Sequence, residues 1–273
     1  MVLWRHELVE TIETLALAGF DAIELWTDHL LKTGESTAVI ARALNSAGLR
    51  CTVHCPIIDL NICSTNQAIA DTSLRLYLEA LETAQELGAL LFVFHAGNLF
   101  SSFDPLEEYW RQLDRALEQL SRRNTGGVLI VVENMEIDKP QEVVKTAEDI
   151  QRVLAAHAGA GLGVCWDSTH LVSSEANLRF LDRIPRIDHV HLSDAEVSDT
   201  TPARKHLRLG EGNLDLRRLL AHPQARQAPV VSLETVLVEP GAADLADERA
   251  KMQALLSAAA AFGYDEQRKT GDA

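Results

Sequence analysis

Short apolar runs alternate along the chain with amphipathic segments of helical periodicity, and most of the runs end in a polar or ionisable residue. Seven of them have the length and β-branched content of strands: AIELW (22–26), CTVHCP (51–56), LLFVFHAG (90–97), VLIVVEN (128–134), GVCWDSTH (163–170), DHVHLSD (188–194) and VVSLET (230–235). The segments between them carry helix signals. HELVETIETLALAG stops at Gly19, STAVIARALNSAG at Gly48 and TSLRLYLEALETAQELG at Gly88, where helix ends favour a left-handed residue. In DPLEEYWRQLDRALEQL, Asp104 reads as the N-cap and Pro105 as the first helical residue. TAEDIQRVLAAH, LDLRRLLAH and ADERAKMQALLSAAAAF supply three further helices.

Apolar runs of this length separated by helices predict parallel strands buried on both faces, hence an α/β fold. A doubly wound open sheet would carry a phosphate-binding glycine fingerprint after a strand, whereas the Gly159, Gly161, Gly163 cluster precedes one. A (β/α)8 barrel accounts for the polar strand ends, because such barrels build their sites at the C-terminal ends of the strands. Only Met1 to Trp4 precede the first helix, so the first barrel strand is expected to be truncated or missing. One barrel domain is expected over residues 1–262, with a polar tail over 263–273.

Composition narrows the class. With 47% hydrophobic and 24% charged residues the chain reads as a globular protein. A net charge of −15 argues against nucleic acid as the main partner, since binding the phosphate backbone needs clustered cations. Cys51, Cys55, Cys63 and Cys165 form no CxxC pair and read as reduced thiols. Neither a signal peptide nor an apolar stretch of roughly 20 residues is evident, so a cytoplasmic protein without membrane contact is expected, with homo-oligomerisation left open.

The strand ends deliver Glu24, His54, His95, Glu133, Asp167 with His170, His191 and Glu234, and His206 follows in the loop after the 188–194 strand. Barrel closure would bring these ends round one axis. Glu133, Asp167 and Glu234 would then repel one another unless a cation neutralised them, which points to a divalent ion. Three carboxylates and the His191 imidazole form a mostly hard ligand set suited to Mn²⁺, Mg²⁺ or Co²⁺, with Zn²⁺ also open. His54 and His95 could hold a second ion with a share of Glu133, or could contact substrate. Other groups take plainer readings. His6, His29, His157 and His222 are expected to be exposed on helices or their ends, and His189 to be a hydrogen-bonded core residue. Trp26 and Trp166 could wall a sugar or simply pack, and Cys165 fills space.

The ordered run VHCPIIDLN, FHAG, VVENM, CWDSTH, VHLSDA, KHLRLGEGNLDL and SLET resembles the xylose isomerase-like TIM-barrel superfamily. That superfamily joins sugar phosphate isomerases and epimerases to the endonuclease IV group (AP endonuclease family 2). The resemblance spans roughly residues 7 to 240. It implies that Glu133, Asp167, His191 and Glu234 ligate the metal of the isomerase and epimerase branch, that Glu133 and Glu234 are its acid/base pair, and that His170 contacts substrate. In the three-zinc endonuclease branch His54 and His95 match ligands of one ion. His170 and His206 match ligands of another, which also takes an aspartate two positions before the final histidine; here that position is Arg204.

The reaction so implied is metal-dependent isomerisation or epimerisation of a sugar, sugar phosphate or keto-sugar, in which the ion stabilises a cis-enediolate while the two glutamates move the proton. Glu24, His170, His206 and Arg208 are the expected substrate contacts. Two alternatives stay open. A keto-sugar dehydratase would share the enediolate. An endonuclease IV-like zinc phosphodiesterase acting on abasic DNA would need a basic rim and wedge side chains, where the chain has Pro56, Ile57 and Ile58 after His54. Asp194, Asp199 or Glu211 could replace the carboxylate missing at Arg204.

Overall fold

The structure is a computed structural model and describes residues 5–101, 103–198, 200–237 and 240–261. Met1–Trp4, expected to be what is left of a first strand, and the 263–273 tail lie outside the described residues.

Seven parallel strands form one curved sheet in sequence order: β1 (Ala22–Trp26), β2 (Arg50–His54), β3 (Leu91–Phe94), β4 (Leu129–Glu133), β5 (Gly163–Asp167), β6 (His189–Leu192) and β9 (Val230–Leu233). All seven expected strands are present, each shorter at its C-terminal end than its apolar run except β1, which matches it. The intervening β7 (Asp194–Glu196) and β8 (Arg204–Leu207) form an antiparallel hairpin where the sequence suggested a loop. Among the described residues β1 and β9 pair with no further strand on their outer edges, so the TIM barrel is nearly closed and truncated by one strand.

The helices cover the outside: α1 (Leu8–Leu17), α2 (Thr27–Thr33), α3 (Thr37–Ala47), α4 (Gln67–Glu86), α5 (Leu106–Arg123), α6 (Ala147–Ala156), α7 (Ser174–Leu181), α8 (Leu216–Ala221), α9 (Pro223–Arg226) and α10 (Ala242–Ala261). Several are capped as their sequences require. Ser36 and Ser173 accept backbone N–H groups of the first turns of α3 and α7, and Thr146 with Asp149 makes a reciprocal capping box on α6. Asp104 is not an N-cap: Pro105 holds that position, and Asp104 instead accepts from Tyr109 Oη at 2.6 Å.

The strand pleat divides the core in two. Phe92, Phe94, Ile130, Val132, Val164, Trp166, Val190 and Leu192 face outward into the large cluster beneath the helices. Leu91, Val93, Val131 and Cys165 face inward and form a small apolar floor inside the barrel. The next inward residue along each of those strands, two positions on, is polar: His95 after Val93, Glu133 after Val131, Asp167 after Cys165.

Candidate metal centre

Strand alternation therefore places Glu133, Asp167, His191 and Glu234 on one floor. One ligand atom from each lies within 4.8 Å of the others. Glu133, Asp167 and His191 are fully buried, while the Glu234 side chain is about a quarter exposed. Glu234 stands one residue beyond β9, and its N–H donates to Leu192 O at 3.0 Å, so the parallel pairing carries it to the rim. His191 Nδ1 lies 3.2 Å from Glu133 Oε1 and 3.1 Å from Glu234 Oε2, between the two glutamates.

Asp167 is fixed by its own turn. Its Oδ1 accepts from Thr169 N (2.6 Å), Thr169 Oγ1 (2.8 Å) and His170 N (3.1 Å), the three donors that the D-S-T-H order supplies. Its Oδ2 is buried and accepts no hydrogen bond, and neither does Glu234 Oε2. A buried Asp167 oxygen that accepts no hydrogen bond, aimed into a cluster of carboxylates beside Glu234 Oε2, whose ion-pair contact is His191 Nδ1 at 3.1 Å, fits a cation as the missing partner. Burial, with the nearby Glu234 carboxylate, pushes the Asp167 carboxyl up to about 6 against the pull of His170 and His206. Burial alone would raise Glu133 as well, but His191 and His95 outweigh it and hold Glu133 well below the usual carboxylate range.

A second group stands beside the first. His54, His95 and Glu133 each offer an atom within 4.8 Å of the others, so Glu133 belongs to both groups. His95 Nε2 is 2.9 Å and His54 Nε2 3.6 Å from Glu133 Oε2. His54 Nδ1 is 2.8 Å from Cys55 O, which assigns the proton to Nδ1 and leaves Nε2 to face Glu133. His170 is held in the same way, with Nδ1 donating to Asn134 O at 2.7 Å and Nε2 turned towards Asp167 Oδ2 at 3.9 Å.

The hairpin brings His206 over this floor. Its ring meets His170 edge-on at 5.7 Å, and Nδ1 lies 3.3 Å from Ser193 Oγ. His206 has φ 55°, a left-handed conformation that costs a non-glycine residue energy and is common at functional sites. Its carbonyl accepts Val236 N at 2.9 Å, which ties the hairpin to the segment after Glu234. Arg208, expected at the substrate, is directed elsewhere: Nε lies 2.9 Å from Glu248 Oε1 on α10, and Asp247 is 3.6 Å from its Nη2. Asp194 is likewise engaged. Its carboxylate accepts the N–H groups of Ala195, Gly210, Gly212 and Leu214, and a Cβ at Gly212 would collide with it. Asp199 lies outside the described residues, and Glu211 is exposed.

A family profile for the xylose isomerase-like TIM barrel matches residues 12–258. The chain belongs to this family. "Probable endonuclease 4" of Mycobacterium ulcerans (strain Agy99) is 27% identical over 196 residues, 70% of this chain and 75% of that one. The same-named protein of Mycobacterium tuberculosis (strain ATCC 25177 / H37Ra) is 28% identical over the same shares. Among solved structures, a Thermus thermophilus protein soaked with ZnCl2 is 28% identical, with a TM-score of 0.61 over 85% of this chain and 88% of that one. A 3-keto-D-glucoside 4-epimerase from E. coli shares the fold, with a TM-score of 0.73 at 18% identity over 93% and 97% of the two chains.

Within the family fold, several expectations about side chains change. His29, His157 and His222 are not exposed: their Nε2 atoms lie 2.7 Å from His6 O, 3.0 Å from Asp114 Oδ1 and 3.2 Å from Asp182 Oδ1, and these contacts draw the rings in. Trp166 faces outward in the helix-covered core and donates to Asn177 Oδ1 at 2.7 Å, so it packs and does not wall the site; Trp26 lines the cavity. Thr169, Asn134 and Glu248 escaped sequence reasoning. The Asp-x-Thr spacing could have disclosed Thr169, whereas Glu248 is distant in sequence from the hairpin it holds. No helix of the described residues is long and apolar enough to cross a membrane.

Proposed function

We propose that the chain is a metal-dependent isomerase or epimerase acting on a small keto-sugar or sugar phosphate. The observation that carries this reading is the convergence of Glu133, Asp167, His191 and Glu234 within 4.8 Å. These four would hold one divalent ion, Mn²⁺, Mg²⁺, Co²⁺ or Zn²⁺, and the preponderance of carboxylates favours the harder ones. Such an ion supplies Lewis acidity for negative charge developing on substrate oxygens.

The remaining chemistry belongs to the protein. Glu133 ends β4 and Glu234 follows β9, strands separated in the sheet by β5 and β6, so the two carboxylates reach the floor from different sides. One removes the proton on the carbon beside the carbonyl and the other returns it to the opposite face, which inverts that centre; return to the neighbouring carbon isomerises. His170 and His206 line one part of a cavity of about 920 Å³ that also runs past Phe20, Arg50 and Val230 to α1 and α10, and they offer ring nitrogens to the hydroxyl groups of a sugar. His54 and His95 hold substrate or a second ion. The partner is a small molecule, and the setting is the cytoplasm.

A zinc phosphodiesterase is the second reading, favoured by the 27–28% identity to proteins named probable endonuclease 4. Against it stands the third-ion position, where the residue two before His206 is Arg204, paired with Glu196 at the surface, instead of a carboxylate. The two readings separate in parallel assays of the purified protein: deuterium wash-in from D2O into a panel of ketoses, and incision of duplex DNA carrying an abasic site. Deuterium beside the carbonyl without incision supports the isomerase. Incision above a no-enzyme control without exchange overturns it.

A further inference from the structure

A phosphate ester is received by a guanidinium, an ammonium group or a set of unpaired backbone N–H groups. The segment after His206 contains the first and the last of these, and both are engaged within the protein. Arg208 is drawn to Glu248 and Asp247 on α10, at 2.9 and 3.6 Å. Gly210 N and Gly212 N each lie 3.0 Å from Asp194 Oδ2, while Ala195 N and Leu214 N meet Oδ1 at 2.8 and 3.3 Å. N–H groups gathered in this way form an anion nest, here filled by the chain's own carboxylate. Where α10 begins, Gly241 N donates to Asp244 Oδ2 at 3.0 Å, so that helix N-terminus is also met by a carboxylate.

The lining of the cavity is biased in the same direction. Histidines apart, its cations among the described residues are Arg50, Lys139 and Arg249. Arg50 opens β2, at the end of the strand opposite His54. Arg249 packs beside Gly19, just before β1 begins, where an added Cβ would stand 3.3 Å from its Nη1. Both arginines therefore belong to the end of the barrel away from the candidate metal centre. Lys139 follows β4 on the side of the site, and there it is paired with Glu136. Carboxylates outnumber it. Glu136 and Glu142 line the cavity in addition to Glu133 and Glu234, and Glu24, whose Oε2 accepts from Thr52 Oγ1 at 2.8 Å, adds another on β1. Burial first, and the Glu136 carboxylate second, push Glu142 up to about 7, so this part of the cavity already resists one more negative charge.

We infer that the substrate of this site is an unphosphorylated sugar, selected against its phosphate esters by the Glu136 and Glu142 carboxylates. This rests on the isomerase or epimerase reading and narrows its substrate to the uncharged class. A sugar hydroxyl can donate to either carboxylate, whereas a phosphate dianion can only accept and brings a like charge beside them. With Arg208 and the N–H groups round Asp194 already engaged, nothing on that side of the cavity offsets the repulsion.

The test gives the full chain, loaded with Mn²⁺, a set of D-ketohexoses and the terminal phosphate ester of each, and follows deuterium entry from D2O by mass spectrometry over a range of concentrations. For each ester kcat/KM should be at least about 100-fold lower than for its parent sugar, with the loss carried by KM. Glu136→Gln removes one carboxylate and releases Lys139, and should narrow that gap about tenfold. Glu142→Gln removes a charge without releasing a cation; it should narrow the gap less, and it carries the comparison where Glu136→Gln does not fold. Esters that exchange as fast as their parent sugars, or faster, overturn the inference and leave the enediolate chemistry standing. A gap of wild-type size in the folded variants overturns the selection by these carboxylates. Absence of exchange from every sugar and every ester overturns the isomerase or epimerase reading, and the inference with it.

Discussion

Arg204 pairs with Glu196 across the hairpin at 2.8 Å, and both side chains are largely exposed. The guanidinium at the position that would have to supply a third ion's carboxylate is thus held at the surface by a cross-strand partner. It can neither ligate nor deprotonate, and two neutral imidazoles leave an ion's charge uncompensated. Asp194 is no substitute, because four backbone N–H groups already occupy its oxygens. Elemental analysis of protein saturated with Zn²⁺ and then desalted should find at most two ions per chain. Three tightly held ions would show that another carboxylate completes the His170 and His206 set.

Thr169 spends both its N–H and its hydroxyl on Asp167 Oδ1, at 2.6 and 2.8 Å. Thr169→Val keeps the shape and removes the hydroxyl donor, freeing the carboxylate to rotate. Metal affinity should fall about tenfold with little change in thermal stability. A chelator competition curve that overlays the wild type would show that the turn's backbone donors suffice.

Glu248 is almost completely buried and binds Arg208 Nε at 2.9 Å, Leu209 N at 3.1 Å and Lys251 Nζ at 2.9 Å. Burial opposes its ionisation, yet these donors hold its pKa below the ordinary value. Glu248→Ala leaves Leu209 N without its acceptor and the partly exposed Arg208 guanidinium with only Asp247 at 3.6 Å, and so loosens the hairpin from α10. A loss of about 1–3 kcal/mol is expected in urea unfolding. A shift below about 0.5 kcal/mol would place the hairpin's anchorage elsewhere.

Glu142 behaves in the opposite sense. Burial, joined by the Glu136 carboxylate, pushes its carboxyl up to about 7, so the folded state keeps a proton that the unfolded chain has already released. Stability should therefore decline as pH rises from the ordinary glutamate range to about 7 and stay reduced above it. An Asn98 amide turned to present its nitrogen at 2.9 and 3.1 Å from the two carboxylate oxygens offsets part of this, which leaves about 1–2 kcal/mol. Glu142→Gln should flatten the decline. Parallel stability curves for the two proteins between pH 5 and 8 would contradict this account.

Much of the site was legible because strand alternation is simple. An apolar inward residue followed two positions later by an ionisable one, as in Val131 and Glu133 or Cys165 and Asp167, fixes which face the polar group shares. The hairpin was not legible: Asp194–Glu196 and Arg204–Leu207 are short, polar and only partly buried, so they lack an apolar run. Helix α2 escaped because it follows β1 without a capping side chain, and closes after seven residues on Gly34 at φ 69°. The fate of Arg208 was hidden for another reason: its partner Glu248 stands 40 residues away, and charge alone does not say which carboxylate a guanidinium will meet.

The central claim is that Glu133 and Glu234 move a proton beside a carbonyl. Its most direct test is NMR detection of solvent deuterium entering a ketose substrate, comparing the wild type with the Glu133→Gln, Glu234→Gln double variant at matched metal concentration. Exchange in the wild type, and its reduction to the buffer rate in the folded double variant, is the predicted result. Wild-type rates of exchange in the double variant would contradict the assignment.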